Sequence, residues 1–204
     1  MTAIHDDNRA RTLKAARKLF FEQGFAKTST AEIAKMAGTS KSTLYAGFGS
    51  MEGLLRAVIE AEVALFNGAR SLKIGSYSAF RSALVAFGAR LLEFLNQPDT
   101  IHFARMMNEQ ARHHPGPTAE YFEAAYRGTA QQLEALLQQG ARFLPRPQPP
   151  DLAGRYIAFL KGDRFEMAVL GLLQEPYPNP RVTSLACVDW MLPQLERSGD
   201  LPVP

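Results

Sequence analysis

The run TSTAEIAKMAGTSKSTLYAGF, residues 28–48, limits the possible folds more than any other stretch. It holds two helix-forming segments, parted by Gly38 and then Ser40, neither long enough to bury a core of its own. Isolated helices shorter than about 12 residues are marginal in water, so both must lean on longer neighbours. Upstream, Leu13, Ala16 and Phe20 recur at i, i+3 and i+7, one face of a helix over about residues 7–23 that Gly24 ends. Ser29 and Glu32 have the reciprocal spacing of a capping box. They start a second helix at about 30–37, with Ile33, Ala34 and Ala37 inward and Gly38 as its C-terminal stop. Ser40 caps a third helix from Lys41 to Ala46, and Ser50 caps a fourth running to Arg70. A support helix therefore precedes a helix–turn–helix. The fourth helix carries Leu54, Leu55, Val58, Ile59, Val63 and Phe66, an apolar side too long for the small N-terminal bundle alone.

Helical periodicity continues at about 77–96, with Phe80, Leu84, Phe87, Leu91 and Phe94, then at about 99–113 and 117–143. The proline-rich loops LPRPQPPD and EPYPNP bound two further helices, about 151–174 and 181–197. No strand alternation interrupts these patterns, so the expected fold class is all-α with about nine helices. A helix–turn–helix segment of residues 1–56 is expected, followed by a larger helical domain of residues 57–204. The first six residues and the tail SGDLPVP read as untethered.

Residues 1–56 hold nine Lys/Arg against five Asp/Glu, a charge of +4, while the remaining 148 residues hold 14 against 15 and sum to −1. That asymmetry fits a polyanion partner, and a solvated basic helix surface explains it about as well. One cysteine, Cys187, excludes an internal disulfide. With no apolar signal core and no run of about 20 apolar residues, a soluble cytoplasmic protein with no membrane partner is expected. Enzyme chemistry has little support: HExxH, P-loop, GxGxxG and GxSxG patterns are all missing. His113 and His114 are adjacent, about 100° apart on a helix, which makes an awkward metal pair. No cofactor or metal is implied.

The segment TSTAEIAKMAGTSKSTLYAGFGSMEGLL resembles the tetracycline-repressor (TetR/AcrR) family of bacterial transcriptional regulators. The resemblance rests on Leu13, Ala16, Phe20, Gly24-Phe25, Thr28, Ile33-Ala34, Ala37-Gly38, Ser40, Thr43-Leu44-Tyr45, Phe48, Ser50, Glu52 and Leu54-Leu55. It is specific over about residues 10–56. The later helices are similar to an AefR-like C-terminal domain. The resemblance implies a dimeric regulator of double-stranded DNA, more often a repressor, released from a palindromic operator by a small hydrophobic or aromatic effector.

In a helix–turn–helix the second helix enters the major groove by its N-terminal residues. Lys41 is then expected at a phosphate or a guanine edge, Ser42 as a donor to either, and the Thr43 methyl near a thymine. Lys27, Thr28 and Tyr45 are placed near phosphates by the resemblance. Thr28 and Ser40 are equally explained as caps. Ala46-Gly47 and Met51 depart from the family pattern, which commonly has a larger aromatic or histidine pair and a lysine there, and both departures take groups away from DNA. Lys14, Arg17 or Lys18 are the residues available to compensate.

The larger domain offers two sets of apolar residues whose plain alternative is ordinary core. Phe66, Phe87, Phe103, Met106, Met107, Tyr126, Tyr156 and Phe159 are the expected ligand-pocket residues, since methionines and aromatics make adaptable apolar walls. Phe165, Leu170, Leu173, Val188, Trp190, Met191 and Leu195 are the expected homodimer contacts, with Trp190 the strongest because aromatic anchors favour interfaces. The rival reading is a helical interaction protein or hydrophobic-ligand carrier that keeps the fold and binds DNA weakly or not at all.

Overall fold

A computed structural model describes residues 2–67, 74–145 and 148–196. Its elements are α1 (Thr2–Gln23), a 3-10 turn (Phe25–Lys27), α2 (Thr30–Ala37), α3 (Lys41–Phe48), α4 (Met51–Asn67), α5 (Tyr77–Leu95), α6 (Pro98–Gln110) and α7 (Pro115–Phe122). A π-helical stretch (Glu123–Arg127) leads into α8 (Gly128–Gly140), followed by α9 (Leu152–Lys161), α10 (Arg164–Val169) and α11 (Pro180–Glu196). No strand occurs among the described residues, and no helix is long and apolar enough to cross a membrane. The fold is all-α, as the periodicity requires.

The chain divides into two compact units, one of Met1–Gly68 with Pro98–Tyr126 and one of Ala69–Gln97 with Arg127–Pro204. In the first, the short helices do lean on longer ones. Ala16 and Phe20 of α1, Ile33 of α2, Leu44 of α3 and Leu54, Leu55 and Val58 of α4 share one buried cluster with Phe103, Met106 and Met107 of α6. The length of α4 is thereby explained within this unit, because α4 also packs on α7. Arg17 reinforces the assembly: its guanidinium donates to the buried Glu62 carboxylate at 2.5 and 3.2 Å and to Asp99 at 2.8 Å, joining α1, α4 and α6.

In the second unit α5 and α11 form the main helix pair. A Cβ on Gly88 would lie 2.3 Å from Ser184 Oγ, so only glycine admits this approach, and Ser184 Oγ donates to Val85 O at 2.8 Å. The loop EPYPNP is anchored rather than loose. Tyr177 is 1% exposed, its N–H donates to Asn96 Oδ1 at 2.9 Å, and its hydroxyl donates to Lys161 O at 3.0 Å.

Four boundaries differ from the sequence expectation. Helix α1 begins at Thr2, because the polar stretch before Leu13 contains no breaker although it carries no apolar repeat. The segment 117–143 is interrupted by the π-helical stretch and ends in a 3-10 turn. The segment 151–174 breaks at Gly162, whose φ of +53° ends α9 and starts a separate α10 that stops at Val169. Helix α3 continues to Phe48. The continuation of the fourth helix beyond Asn67 and the tail after Glu196 lie outside the described residues.

Candidate nucleic-acid interface

The turn between α2 and α3 is built by local chemistry that can be followed residue by residue. Ser29 Oγ accepts from Glu32 N at 3.3 Å while Glu32 Oε2 accepts from Ser29 N at 2.8 Å, a complete capping box. Hydrogen bonds from Ser29, its hydroxyl first and then its backbone N–H, hold the Glu32 carboxyl below the usual carboxylate range. Gly38 closes α2 at φ +64° and ψ +39°, a left-handed conformation that L side chains rarely adopt. Two residues later Ser40 Oγ accepts from Thr43 N at 3.0 Å and opens α3. Ser50 repeats the device for α4, accepting from Gly53 N at 3.0 Å.

Leu44 is 1% exposed and roots α3 in the core. Around it the rest of the helix faces outward: Lys41, Ser42, Tyr45, Ala46 and Gly47 are exposed, and Thr43 is half-buried. Among the described residues no ion pair holds Lys41, Lys27, Lys35 or Lys14, and all four are exposed. Tyr45 is 45% exposed, so its ring is not consumed by the bundle. The hydroxyls are more committed. Ser42 Oγ lies 2.7 Å and Thr43 Oγ1 2.8 Å from Ser40 Oγ. Thr28 is buried, its hydroxyl donates to Gly24 O at 2.8 Å and its N–H to Phe25 O at 3.1 Å. A phosphate accepts hydrogen bonds only, so a contact by Thr28 requires it to give up one of these.

Two of the positions that depart from the family pattern make local contacts, Gly47 through its backbone and Met51 through its side chain. The Gly47 carbonyl accepts from Arg9 Nη1 at 2.9 Å, and the Arg9 guanidinium lies 4.5 Å from the centroid of Phe48. Arg9 thus secures the end of α3, a role that no periodicity or motif signals. Met51 is half-buried and packs against the buried cluster of the first unit. Of the three basic residues offered as compensation, Arg17 is occupied by Glu62 and Asp99 and Lys18 lies 3.7 Å from Glu22. Lys14 alone of them has no ion-pair partner among the described residues.

The expected pocket residues are divided between the units. Phe103, Met106 and Met107 are in the core cluster of the first, Phe66 is buried at the end of α4, and Tyr126 is 40% exposed beside Phe122 on the π-helical stretch. In the second, Phe87 is buried and the buried Tyr156 hydroxyl donates to Leu84 O at 3.2 Å. Phe159 is 53% exposed, with its ring 4.7 Å from that of Trp190.

The expected interface residues also separate. Phe165, Val188 and Met191 are buried within their own unit, Leu173 and Leu195 are half-buried, and Leu170 and Trp190 are 74% and 58% exposed. Leu172, Val182 and Leu185 join the exposed set, which sequence reading missed. Helix α11 is apolar on both sides, so its pattern does not say which side meets α5. Cys187 lies on the buried side, and burial pushes its thiol up to about 12.

Residues 13–58 match the family described as "Bacterial regulatory proteins, tetR family", and residues 82–190 match the "AefR-like transcriptional repressor, C-terminal domain". The HTH-type transcriptional repressor ComR of Escherichia coli (strain K12) is 30% identical over 102 residues, which is 50% of this chain and 49% of that relative. The match therefore spans about half the length of the curated relative. Among solved structures, the Flavonoid-responsive Regulator FrrA superposes with a TM-score of 0.77 at 26% identity, over 94% of this chain and 98% of that one. A TetR transcriptional regulator from Agrobacterium tumefaciens gives 0.76 at 22% identity, over 93% and 95% of the two chains, a likeness of fold.

Proposed function

We propose a specific role for this chain, which belongs to the TetR family of bacterial regulatory proteins and is a DNA-binding transcriptional regulator rather than an enzyme. It is a dimeric repressor that holds a palindromic operator through α3 and releases it when a small hydrophobic or aromatic effector binds. The observation that carries the reading is α3 itself: Leu44 fixes the helix while Lys41, Ser42 and Tyr45 stand exposed at its outer side. A helix presented in this way fits the major groove. Lys41 and Ser42 read or position the duplex, and Lys27 and Tyr45 hold phosphates.

Dimerisation is supported by the exposed Phe159, Leu170, Leu172, Val182, Leu185 and Trp190 of the second unit, a concentration of large apolar side chains that a monomer rarely shows to water. Two copies joined there carry two recognition helices, as a palindrome requires. The effector class is supported by the buried aromatics and methionines and by the likeness to FrrA, a flavonoid-responsive protein. Release follows when the effector changes the separation of the two recognition helices.

The test combines sedimentation with operator binding. Wild-type protein is expected to sediment as a dimer and Trp190→Glu as a monomer, with operator affinity abolished in the same variant. A flavonoid is the first effector to titrate, and weaker operator binding at saturation is expected. Operator affinity that no tested hydrophobic or aromatic compound changes would remove the release step.

A further inference from the structure

Helix α3 has eight residues, is about 12 Å long, and has Leu44 as its one buried side chain. Its N-terminal end is fixed locally, by Ser40 Oγ accepting from Thr43 N at 3.0 Å. The C-terminal end has a different solution. The last four carbonyls of a helix lack donors within it and must be answered from elsewhere. Gly49 leaves the helix at φ +74° with its N–H donating to Tyr45 O at 2.8 Å, and Ser50 N–H donates to Phe48 O at 2.9 Å. The Gly47 carbonyl between them is answered by Arg9 Nη1, from the far side of the head on α1.

Arg9 holds this end in more than one way. Its positive charge faces the negative end of the α3 dipole, and its guanidinium lies 4.5 Å from the centroid of Phe48. Phe48 is half-buried and packs against the buried cluster of the first unit. One side chain therefore grips a terminal carbonyl and the neighbouring ring together. Nearby on α1 the carboxylates have other partners, Asp7 with Arg11 and Glu22 with Lys18. Gly47 contributes backbone alone, since a Cβ there meets nothing within 4 Å.

We infer that Arg9 is a positioning residue for sequence recognition, holding the C-terminal end of α3 while Leu44 holds its middle, so that the exposed side chains meet the bases at a fixed tilt. It acts through α3 and contacts neither base nor phosphate. Hydrogen bonds to base edges need an aligned approach of about 3 Å, whereas attraction to phosphates reaches over about 10 Å at ordinary salt. Loosening α3 therefore weakens specific binding and leaves non-specific binding in place. The inference rests on the reading of α3 as the helix that enters the groove.

The test uses full-length wild type, Arg9→Met and Arg9→Lys in two measurements. Amide hydrogen exchange without DNA reads the hold itself: Arg9→Met should speed exchange at Phe48 and Gly49 about tenfold and leave the amides of α4 unchanged. Anisotropy then compares a duplex from the DNA flanking this protein's own coding region with a scrambled duplex of the same composition. Arg9→Met should bind the first about tenfold more weakly, bind the second as wild type does, and keep the wild-type salt slope. Arg9→Lys should behave like Arg9→Met, because an ammonium has no planar face to lie over the ring while it donates. Equal weakening on both duplexes with a salt slope shallower by about one unit would make Arg9 a phosphate contact and overturn the inference. So would unchanged exchange at the end of α3, or full recovery by Arg9→Lys. Wild type that binds no DNA overturns the regulator reading instead, and the exchange measurement still decides whether Arg9 holds α3.

Discussion

Arg17 should be worth most to the fold where it meets Glu62 and little where it meets Asp99. The Glu62 side chain is 7% exposed and receives two guanidinium hydrogen bonds, whereas Asp99 is 56% exposed. Hydrogen bonding to Glu62 raises the guanidinium further above its usual range against the opposing effect of burial, so Arg17 stays charged at any ordinary pH. Arg17→Met strands a buried carboxylate and should cost about 3–5 kcal/mol. Asp99→Asn breaks a largely solvated pair and should cost no more than about 1 kcal/mol. The informative variant is Arg17→Met with Glu62→Leu. Replacing a buried ion pair by apolar groups of similar volume is often close to neutral, so the double variant should recover most of the loss. Urea unfolding followed by circular dichroism measures all four chains, with similar m-values as the condition for comparison. A double variant as unstable as Arg17→Met, or an Asp99→Asn loss matching that of Arg17→Met, would refute the reasoning.

Two further outcomes follow from backbone geometry and burial. Gly38→Ala forces a Cβ into the left-handed conformation at φ +64° and should cost about 1–2 kcal/mol, while Gly47→Ala meets open space within α3 and should gain up to about 1 kcal/mol; thermal melting separates the signs. Cys187 should resist a thiol reagent at pH 8 in folded protein and react quickly once urea unfolds it. Because its folded pKa is raised from 9.0 to about 12, its contribution to stability is complete below about pH 9 and is lost as pH rises toward 12, so labelling should accelerate across that window.

Local chemistry made the head legible in the sequence. Ser29 with Glu32, Gly38, Ser40 and Ser50 each satisfy backbone groups within a few residues of themselves, so their spacing alone predicts the turns that form. The fold class was legible for the same reason, since the 3.6-residue period is a local property. What escaped depends on distant partners. That Arg9 holds Gly47 across 38 residues, or that Arg17 answers Glu62 across 45, leaves no mark in either neighbourhood. Which side of α11 is exposed was illegible because Val182, Leu185 and Trp190 alternate with Ser184, Cys187, Val188 and Met191 around a helix with apolar residues on both sides. The break at Gly162 was hidden by apolar residues continuing on either side of it.

The most direct test of the central claim is fluorescence anisotropy of a labelled duplex taken from the DNA flanking this protein's own coding region, titrated with wild-type and Lys41→Ala protein at several salt concentrations. The account predicts specific binding that weakens as salt rises. It predicts weaker binding by Lys41→Ala, with the salt slope shallower by about one unit for each phosphate that the lysine no longer neutralises. Failure to bind that DNA, followed by failure to select any sequence from a genomic library, would contradict it and favour an interaction protein built on the same fold.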